Sequence, residues 1–300
     1  MKNIKFLGIF LLISWALVAC AENGQEVAQP EEIEGQTGEE EKKNEAENVD
    51  EDSEDIEAKE QEEQTKEDTK TEDDDSHSEE QKEEKKAKKE PEYFLNDVGY
   101  FKPIDDANPK VVLLTIDDAP DEHAIEMAKT LKELKAPAIF FVNGHFMDTK
   151  EERKVVKQIH DMGFHIGNHT YNHQNLREVS NKQQKKEILK LNKIIEEVIG
   201  EKPKFFRAPH GANTDYAEKL VKDEGMLLMN WSYGYDFMAD YMEKEALEEI
   251  MVNAPQLGKG ANLLMHDREW TNAALPGILE GLKEKGYDFL DPDLIQLTKE

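Results

Sequence analysis

Apolar and polar residues alternate in blocks along the C-terminal part of the chain, from about residue 93 to residue 300. Short apolar runs are separated there by stretches whose apolar residues recur at helical spacing. Within 181–199, for example, Ile188, Leu191 and Ile195 fall on one helical face. The pattern predicts helices at 122–135, 151–162 and 181–199, and strands at 111–116, 138–143, 164–168, 204–208, 226–232, 261–266 and 287–290.

A strand followed by a helix, repeated about seven times, is typical of an α/β fold in which helices cover a parallel sheet. Periodicity alone leaves two architectures open: a doubly wound open sheet, and a barrel that closes imperfectly. Roughly 200 residues suffice for a single hydrophobic core. We therefore expect one α/β domain at residues 93–300.

The reactive side chains of this region stand at or just after the C-terminal ends of the predicted strands. They are Asp117, Asp118, His169, Arg207, Trp231 and His266. In a barrel these strand ends open onto one mouth, where active sites are built. Two adjacent carboxylates in a strand would point to opposite faces. We expect Ala119 and Pro120 to end the strand, so that Asp117 and Asp118 both face the mouth.

The segment GNHTYNH places His169 and His173 four residues apart, a spacing that brings two imidazoles to one metal when the segment forms a helical turn. This spacing is weak evidence by itself. His165 is also four residues before His169, but it belongs to the predicted strand and is left out. An aspartate from another strand end would complete a two-histidine, one-aspartate metal site with an open position for water.

The first 20 residues are typical of a signal peptide. Lys2 and Lys5 precede an apolar run that is too short to span a bilayer comfortably. The run ends in Leu-Val-Ala-Cys, which resembles a bacterial lipobox, and Cys20 is the only cysteine of the chain. We expect lipidation of Cys20, an extracytoplasmic location on the cell membrane, and a domain without disulfides. An ordinary secretory signal and a short membrane anchor are the alternatives.

Residues 21–92 have a different composition, dominated by Glu, Asp, Lys, Gln and Ser and without any aromatic residue. This segment carries most of the formal net charge of −29. It cannot bury enough apolar surface to offset its ordering entropy, so we predict a disordered acidic linker. A lone charged helix at 81–90 is the alternative. The acidity argues against nucleic acid as a partner.

Five segments in order resemble the motifs of the polysaccharide deacetylases, carbohydrate esterase family 4 with its NodB-homology domain. TIDDAP is similar to T-F-D-D-G-P, HTYNH to H-S/T-x-x-H, and RAPHG to R-x-P-Y-G. WSYGYDF resembles W-S-x-D-x-x-D-W, and LMHD resembles L-x-H. The resemblance covers about residues 108–297. It implies a distorted or incomplete (β/α) barrel of about seven parallel strands.

The resemblance also implies a divalent metal held by Asp118, His169 and His173, with Zn²⁺ as the first candidate and Co²⁺ or Ni²⁺ as alternatives. Asp117 would be the general base, paired with Arg207.

The remaining implied roles concern the substrate. His266, oriented by Asp236, would be the general acid for the leaving sugar amine, and the backbone N–H of His210 would bind the oxyanion. Pro209, Trp231 and Leu264 complete the substrate-binding set; the last two would wall the pocket for the acetyl methyl group.

Three residues depart from the family pattern. Ala119 replaces a glycine and would crowd the backbone if that position needs a positive φ. His210 replaces a tyrosine, and Phe237 replaces a tryptophan and lacks its N–H donor. Trp270, outside the motifs, is predicted to be either a platform for a sugar ring or a loop anchor.

The favoured function is metal-dependent N-deacetylation of a cell-envelope polysaccharide, with N-acetylglucosamine of peptidoglycan as the first candidate and a chitin-like oligosaccharide as another. One alternative is a catalytically silent saccharide-binding lipoprotein on the same fold. The other is an O-acetyl esterase that uses the same site.

Overall fold

A computed structural model of the protein describes residues 89–298. The strands are β1 (Tyr93–Leu95), β2 (Phe101–Pro103), β3 (Val111–Ala119), β4 (Ala138–Val142), β5 (His165–Asn168), β6 (Phe205–Phe206), β7 (Leu227–Leu228), β8 (Ala261–His266) and β9 (Asp288–Phe289). The helices are α1 (Ala124–Glu133), α2 (Lys150–Asp161), α3 (Asn181–Ile199), α4 (Asp215–Asp223), α5 (Lys244–Asn253) and α6 (Glu269–Glu284). The predicted signal peptide, Cys20 and residues 21–88 of the predicted linker lie outside the described residues. None of the helices within 89–298 combines the length and the apolar character needed to cross a bilayer.

Strands β3 to β9 form one parallel sheet in the order β7-β6-β5-β4-β3-β8, and β9 pairs with the first residues of β3. Each of the seven predicted strands is present, although β6, β7 and β9 contain only two residues each. The three predicted helices correspond to α1, α2 and α3. The expectation of a parallel sheet covered by helices is therefore confirmed.

Helix α3 begins and ends where the predicted range does, for reasons visible in the sequence. The hydroxyl of Ser180 accepts a hydrogen bond from the backbone of Gln183 and caps the first turn. Gly200 ends the helix in the left-handed conformation at φ 84°. The capping box of Thr149 and Glu152 fixes the start of α2 in the same way.

Side chains on the central strand β3 alternate between two apolar environments. Leu114 and Ile116 pack in the core between the sheet and the helices. Leu113 packs on the other face, with Phe141 and Phe205 of neighbouring strands. Because both faces are covered by apolar groups, the strand sequence is almost continuously hydrophobic.

The sheet curls into a barrel that closes only partly. After β7 the chain crosses to the opposite edge of the sheet, where Tyr233 forms a single parallel bridge with Leu263 of β8. Gly234 permits this approach, since a Cβ atom there would lie 2.5 Å from the carbonyl oxygen of Leu264. This confirms the expected distorted or incomplete (β/α) barrel and excludes the open sheet.

An antiparallel hairpin of β1 and β2 precedes the barrel. Tyr93, Leu95 and Phe101 of this hairpin are buried in the same cluster as Leu113 and Phe205 of the sheet. The hairpin therefore adds apolar contacts to the face of the sheet that carries Leu113 and Phe205, the face opposite Leu114 and Ile116. The sequence did not predict it, because strands of three residues are too short to show a period.

Candidate active site

A cavity of about 360 Å³ opens at the C-terminal ends of the strands. It is lined by Asp117, Asp118, His169, His173, His210, Trp231, Asp236, Phe237, Met242, Leu264, His266, Arg268 and Trp270. Nine of the residues singled out as site candidates therefore surround one space. Arg207 and Pro209 are buried next to it, and Cys20 lies outside the described residues.

The two adjacent aspartates reach the cavity in a way that the sequence did not predict. Strand β3 does not end at Ile116 but continues through Ala119, and its register with β4 shifts between these two residues. Asp117 keeps the strand alternation and points inward. Asp118 adopts a left-handed conformation at φ 59°, which turns its carboxylate toward the same space. The strand does end before Pro120, as expected, but the predicted end at Ile116 was three residues too early. The irregularity that turns Asp118 toward the cavity is a bulge inside the strand.

Asp117 is buried and pairs with a buried arginine. The Nη1 atom of Arg207 donates to Oδ1 of Asp117 at 2.6 Å and to the hydroxyl of Thr115 at 2.7 Å. The other guanidinium nitrogens donate to backbone oxygens of Met229 and Asn230. Burial raises the pKa of the Asp117 carboxyl, and the charge of Arg207 opposes that rise. The arginine thus fixes the orientation of the carboxylate and moderates its basicity.

Asp118, His169 and His173 form a three-ligand constellation. Oδ1 of Asp118 lies 3.4 Å from Nε2 of His173 and 3.8 Å from Nε2 of His169. The carbonyl oxygen of Arg207 accepts a hydrogen bond from Nδ1 of His169 at 2.8 Å. Nε2 of this ring is then the unprotonated nitrogen, whose lone pair can bind a metal. Burial lowers the pKa of His169 to about 3 and also lowers that of His173. Both rings are therefore neutral near pH 7, as metal ligands must be.

These three residues fit a divalent metal ion. The Oδ1 atom of Asp118 is buried yet has no hydrogen-bond partner, which is costly unless a cation binds it. The ligand atoms of Asp118, His169 and His173 lie within 4.8 Å of one another. Two imidazole nitrogens and one carboxylate oxygen suit Zn²⁺ and leave a fourth position open.

The turn that carries His169 and His173 has unusual backbone geometry. Thr170 and His173 are non-glycine residues with positive φ, of 67° and 53°. With Asp118 and His210, they make four of the six non-glycine residues with positive φ in the described chain. Such conformations each cost about 1–3 kcal/mol and persist only where the surroundings enforce them.

Three buried polar side chains enforce the turn. Asn143, just after β4, donates to the carbonyl oxygen of His169 at 2.7 Å. Asn168 accepts from the backbone of Thr170. Glu187 of α3 accepts from the backbone and the side-chain amide of Asn172 at 2.6 and 2.8 Å. Sequence reasoning missed Glu187, although a glutamate among the apolar residues of a helical face is a signal that could have drawn attention to it.

His266 and Asp236 face the constellation from the other side of the cavity. Nδ1 of His266 lies 2.8 Å from Oδ1 of Asp236, which is fully buried. Burial lowers the pKa of His266, but Asp236, with help from Asp117 and Asp118, more than reverses this. The pKa of His266 is therefore raised above its ordinary value. Its Nε2 atom is the end of the ring that remains for a substrate.

One part of the cavity wall is apolar and aromatic. Trp231 and Leu264 lie there, as the sequence predicted, and Phe237 and Met242 form an exposed rim. The indole N–H of Trp270 donates to the carbonyl oxygen of Asp236 at 2.7 Å. Trp270 therefore anchors the loop that carries Asp236 and also contributes to the wall, so the two predicted roles do not exclude each other.

Comparison with known proteins agrees with the family that the sequence motifs resemble. A family model described as polysaccharide deacetylase matches residues 104–229. A peptidoglycan-N-acetylglucosamine deacetylase of Bacillus cereus is 32% identical over 189 residues, which span 61% of this chain and 86% of that protein. The chain belongs to the polysaccharide deacetylase family. As a member of this family it is classed as a deacetylase, a hydrolase.

Two further relatives show the range of this family. A peptidoglycan-N-acetylmuramic acid deacetylase of Bacillus subtilis is 28% identical over 196 residues, covering 64% of this chain and 73% of that one. The structure of a pseudoenzyme of carbohydrate esterase family 4 from Bacillus anthracis matches with a TM-score of 0.57 at 28% identity. It covers 63% of this chain and 68% of the other. Members of the polysaccharide deacetylase family therefore differ in their substrates, and one of them is described as a pseudoenzyme. For this chain, the substrate and the activity have to be argued from the geometry of the site.

The structure removes one concern about the departures from the polysaccharide deacetylase motifs. Ala119 was expected to crowd the backbone if its position needed a positive φ. The residue with positive φ is Asp118, and Ala119 is an ordinary strand residue paired with Val142. Its Cβ atom therefore meets no backbone conflict. His210 does have a positive φ, of 57°, and its exposed ring lies 4.9 Å from that of His173 between centroids.

Arg268, which the sequence motifs do not single out, lines the cavity beside Asp118. It follows His266 by two residues, and only its proximity to a motif could have singled it out.

The histidine excluded by the sequence analysis, His165, has other partners. Its Nε2 atom lies 3.0 Å from Asp293, and with Asp291 these residues form a second group within metal-binding distance. Lys89 already pairs with Asp291 at 2.6 Å, and Lys204 lies 3.7 Å from Asp293. The acidic charge of this group is thereby balanced by lysines.

Proposed function

We propose that this protein is an active, metal-dependent N-deacetylase of a cell-envelope polysaccharide, with the N-acetylglucosamine residues of peptidoglycan as its first substrate. The relatives named above act on peptidoglycan amino sugars according to their names. The cavity suits this substrate class, because apolar and aromatic side chains suited to an acetyl group and a sugar face lie beside a cluster of charged and titratable groups. A chitin-like oligosaccharide is the second candidate.

The metal would be held by Asp118, His169 and His173, with Zn²⁺ the first candidate and Co²⁺ or Ni²⁺ as alternatives. When bound, it would supply Lewis-acid polarisation of the acetyl carbonyl and of the attacking water. Asp117 would accept the proton of that water, with Arg207 holding its carboxylate in place. The raised pKa of the buried carboxyl makes it a better base near neutral pH than an exposed aspartate.

The leaving group requires a proton on the other side of the cavity. His266 would give it to the sugar nitrogen from Nε2, since Asp236 occupies Nδ1 and raises the pKa of the ring, which favours its protonated form. The backbone N–H of His210 would donate to the oxyanion of the tetrahedral intermediate, and Pro209 precedes it in the same turn. Trp231 and Leu264 would enclose the acetyl methyl group.

One observation carries this proposal: a buried base–arginine pair and a buried aspartate–histidine pair face the same three-ligand group across a single cavity. A silent saccharide-binding protein has no use for the buried charges of Arg207, Asp117 and Asp236, each of which is costly to desolvate. The existence of a pseudoenzyme in this family makes activity a matter for direct measurement.

The test is acetate release from purified peptidoglycan and from chitin oligomers, each with zinc or with a chelator. We expect zinc-dependent release, and mass spectra of the digested peptidoglycan should show the lost acetyl group on glucosamine rather than muramic acid. Loss of the acetyl group from muramic acid would instead assign N-acetylmuramic acid as the substrate. Release only from O-acetylated sugars would favour the esterase, and retention of sugar without release would favour the silent binding protein.

We further propose that the protein acts outside the cytoplasm, attached to the membrane through lipid on Cys20. This proposal rests on the lipobox-like sequence before Cys20 and on the wall polymer that the relatives modify. In a Cys20→Ala variant, the protein should leave the membrane fraction or remain unprocessed. Fractionation and migration identical to the natural protein would contradict lipid attachment.

A further inference from the structure

Arg268 lies at the edge of the cavity with its guanidinium fixed on two sides. Its Nη2 atom donates to Oδ2 of Asp118 at 3.0 Å. Its Nη1 atom donates to Oδ2 of Asp121 at 3.0 Å and to the carbonyl oxygen of Asp267 at 2.8 Å. The side chain is 34% exposed, so these contacts lie at the border between the cavity and solvent.

The partners of Arg268 are themselves held by the fold. The buried carboxylate of Asp267 accepts hydrogen bonds from the backbone N–H groups of Asp121, His123 and Ala124. It thereby caps the first turn of α1 from a distant part of the sequence. The loop after β3 is fixed to the end of β8, and Asp121 presents its side chain to Arg268 from a rigid position.

As a consequence, the two carboxylate oxygens of Asp118 have different environments. Oδ2 is bound by Arg268, whereas Oδ1 is the buried atom without a hydrogen-bond partner that faces the imidazoles of His169 and His173. If the carboxylate could rotate freely about its Cβ–Cγ bond, Oδ1 and Oδ2 would exchange positions and neither would point steadily to the imidazoles. The rigid guanidinium donates to Asp118 from Nη2 and to Asp121 from Nη1, so it is held in one orientation between the two carboxylates, which the single ammonium of a lysine does not reproduce.

We propose that Arg268 is a positioning residue for the metal site: it holds Asp118 so that a single oxygen, Oδ1, points to the metal position. This inference rests on the proposed metal-dependent function and adds to it a residue outside the family motifs. Hydrogen bonds to ligating carboxylates typically change metal affinity by about 10- to 100-fold when removed. The positive charge of Arg268 acts in the opposite direction by repulsion, so the sign of the measured change decides the question.

The experiment is a competition titration of Zn²⁺ against a fluorescent chelator, with the full mature chain carrying Arg268→Ala, Arg268→Lys or no change. We expect the affinity of Arg268→Ala to fall by about 10- to 100-fold. Arg268→Lys should recover part of the loss, since lysine restores the charge but not the rigid guanidinium. Arg153→Ala is the matched control: Arg153 is also half-buried and donates to a carbonyl oxygen, that of Met147, but lies outside the cavity. Its zinc affinity should equal that of the unchanged protein.

Asp121 provides the second part of the test. Asp121→Asn weakens the hold on Arg268 without touching Asp118, so it should lower zinc affinity by less than Arg268→Ala. In combination with Arg268→Ala, it should add little, because the two residues act through one contact. Melting curves of the metal-free variants within a few degrees of the unchanged protein would show that the fold is intact.

An affinity of Arg268→Ala equal to or above that of the unchanged protein would overturn the inference. So would additive effects of Asp121→Asn and Arg268→Ala, or a loss in Arg153→Ala of the same size. The proposed function fails separately: in that case the unchanged protein would bind no zinc at this site, and substitution of His169 would leave its zinc binding unaltered.

Discussion

Asp236 binds His266 through both of its carboxylate oxygens: Oδ1 lies 2.8 Å from Nδ1 of the ring, and Oδ2 accepts the backbone N–H at 2.5 Å. One buried carboxylate therefore fixes the tautomer and the orientation of the proposed general acid and favours its protonated form. The hydroxyl of Thr271 donates to the same Oδ2 atom at 2.8 Å and completes the support.

The first prediction concerns the pH dependence that this pair produces. The proposed acid must carry a proton, and the raised pKa of His266 extends its protonated form to higher pH. Asp236→Asn removes the main cause of the rise, so the alkaline limb of the pH–rate profile should move to lower pH. Turnover near pH 7 should fall by roughly 10²- to 10⁴-fold, the usual weight of a general acid. Measurement of kcat from pH 5 to 10 checks both effects.

The same pair links stability to pH, with a sign that can be stated. Because the folded-state pKa of His266 is above the unfolded one, its stabilising contribution is complete below about pH 6.5 and is lost as pH rises through the folded value. Asp236→Asn should remove this dependence of stability on pH, as thermal melts across the pH range would show.

Thr271→Val is the control for both effects, because it deletes one hydrogen bond to Asp236 but keeps the charge of the pair. It should shift the pH–rate profile much less than Asp236→Asn does. An unchanged alkaline limb in Asp236→Asn would contradict the assignment of His266.

The second prediction separates the two adjacent aspartates. Asp118→Ala leaves two protein ligands, so bound zinc and acetate release should be lost together. Asp117→Asn keeps the shape of the side chain and an acceptor for Arg207 but cannot take up a proton at this position. Zinc should stay bound while turnover falls by roughly 10²- to 10⁴-fold. Metal analysis by mass spectrometry beside acetate release checks this.

Folding must be measured in the same samples, because Asp117→Asn leaves the buried charge of Arg207 with a neutral partner. Loss of metal from Asp117→Asn together with retention in Asp118→Ala would reverse the two roles. Full activity of both variants would show that this cavity is not the active site.

The third prediction concerns Glu187, which supports the histidine turn from α3. Its carboxylate accepts from the backbone and side chain of Asn172 and from the side chain of Gln183. Glu187→Ala deprives these donors of their acceptor, at about 1–3 kcal/mol for each that stays buried. The melting temperature should fall by several degrees and zinc affinity should fall with it.

Glu197, on an exposed face of the same helix, provides the control for that prediction. It forms a surface pair with Lys193 at 3.7 Å, which is worth at most about 0.5 kcal/mol. Glu197→Ala should therefore melt and bind zinc like the unchanged protein. Equal behaviour of the two alanine variants would show that the turn holds its shape without Glu187.

The fourth prediction concerns the domain boundary. From its composition, the segment 21–88 should contribute nothing to the stability of the domain, so a chain that begins at Lys89 should melt cooperatively at the same temperature as the mature protein. It keeps the backbone hydrogen bond from Glu92 to Leu294 and the buried hairpin residues. A chain that begins at Asn96 loses Tyr93 and Leu95 and should be less stable by several kcal/mol. Calorimetry of the two chains decides whether the boundary is placed correctly.

Sequence reasoning was most successful where a residue type repeats a geometric rule. Apolar runs such as 111–116 predict parallel strands because both of their faces are covered, and residues at their C-terminal ends share one mouth whatever the helices do. That rule alone predicts that Asp117, His169, Arg207 and His266 lie around one mouth. It needs no knowledge of side-chain conformations.

The rest depended on backbone conformations that have no signature in a sequence. The sequence does not indicate that Asp118, Thr170 and His173 adopt positive φ values, because glycine is the residue that usually marks the left-handed region of backbone conformations. For the same reason, the bulge in β3 was mistaken for the end of a strand. Arg268 and Glu187 were missed because their partners are 150 and 15 residues away in the sequence, and hydrogen-bonded partners at such distances leave no periodic trace.

The partial closure of the barrel has a consequence for how this protein can change over time. Trp231, Phe237 and Met242 lie on the irregular segment that crosses from β7 toward α5, where the single bridge of Tyr233 to Leu263 is the only pairing with the sheet among the described residues. The proposed base and metal ligands belong instead to strand ends and to a turn held by buried side chains. Asp236, which holds the proposed acid His266, lies on this same segment between Trp231 and Met242. A change in the length or path of the segment would therefore alter the rim of the cavity and the proposed acid together, whereas the base and the metal ligands would keep their supports.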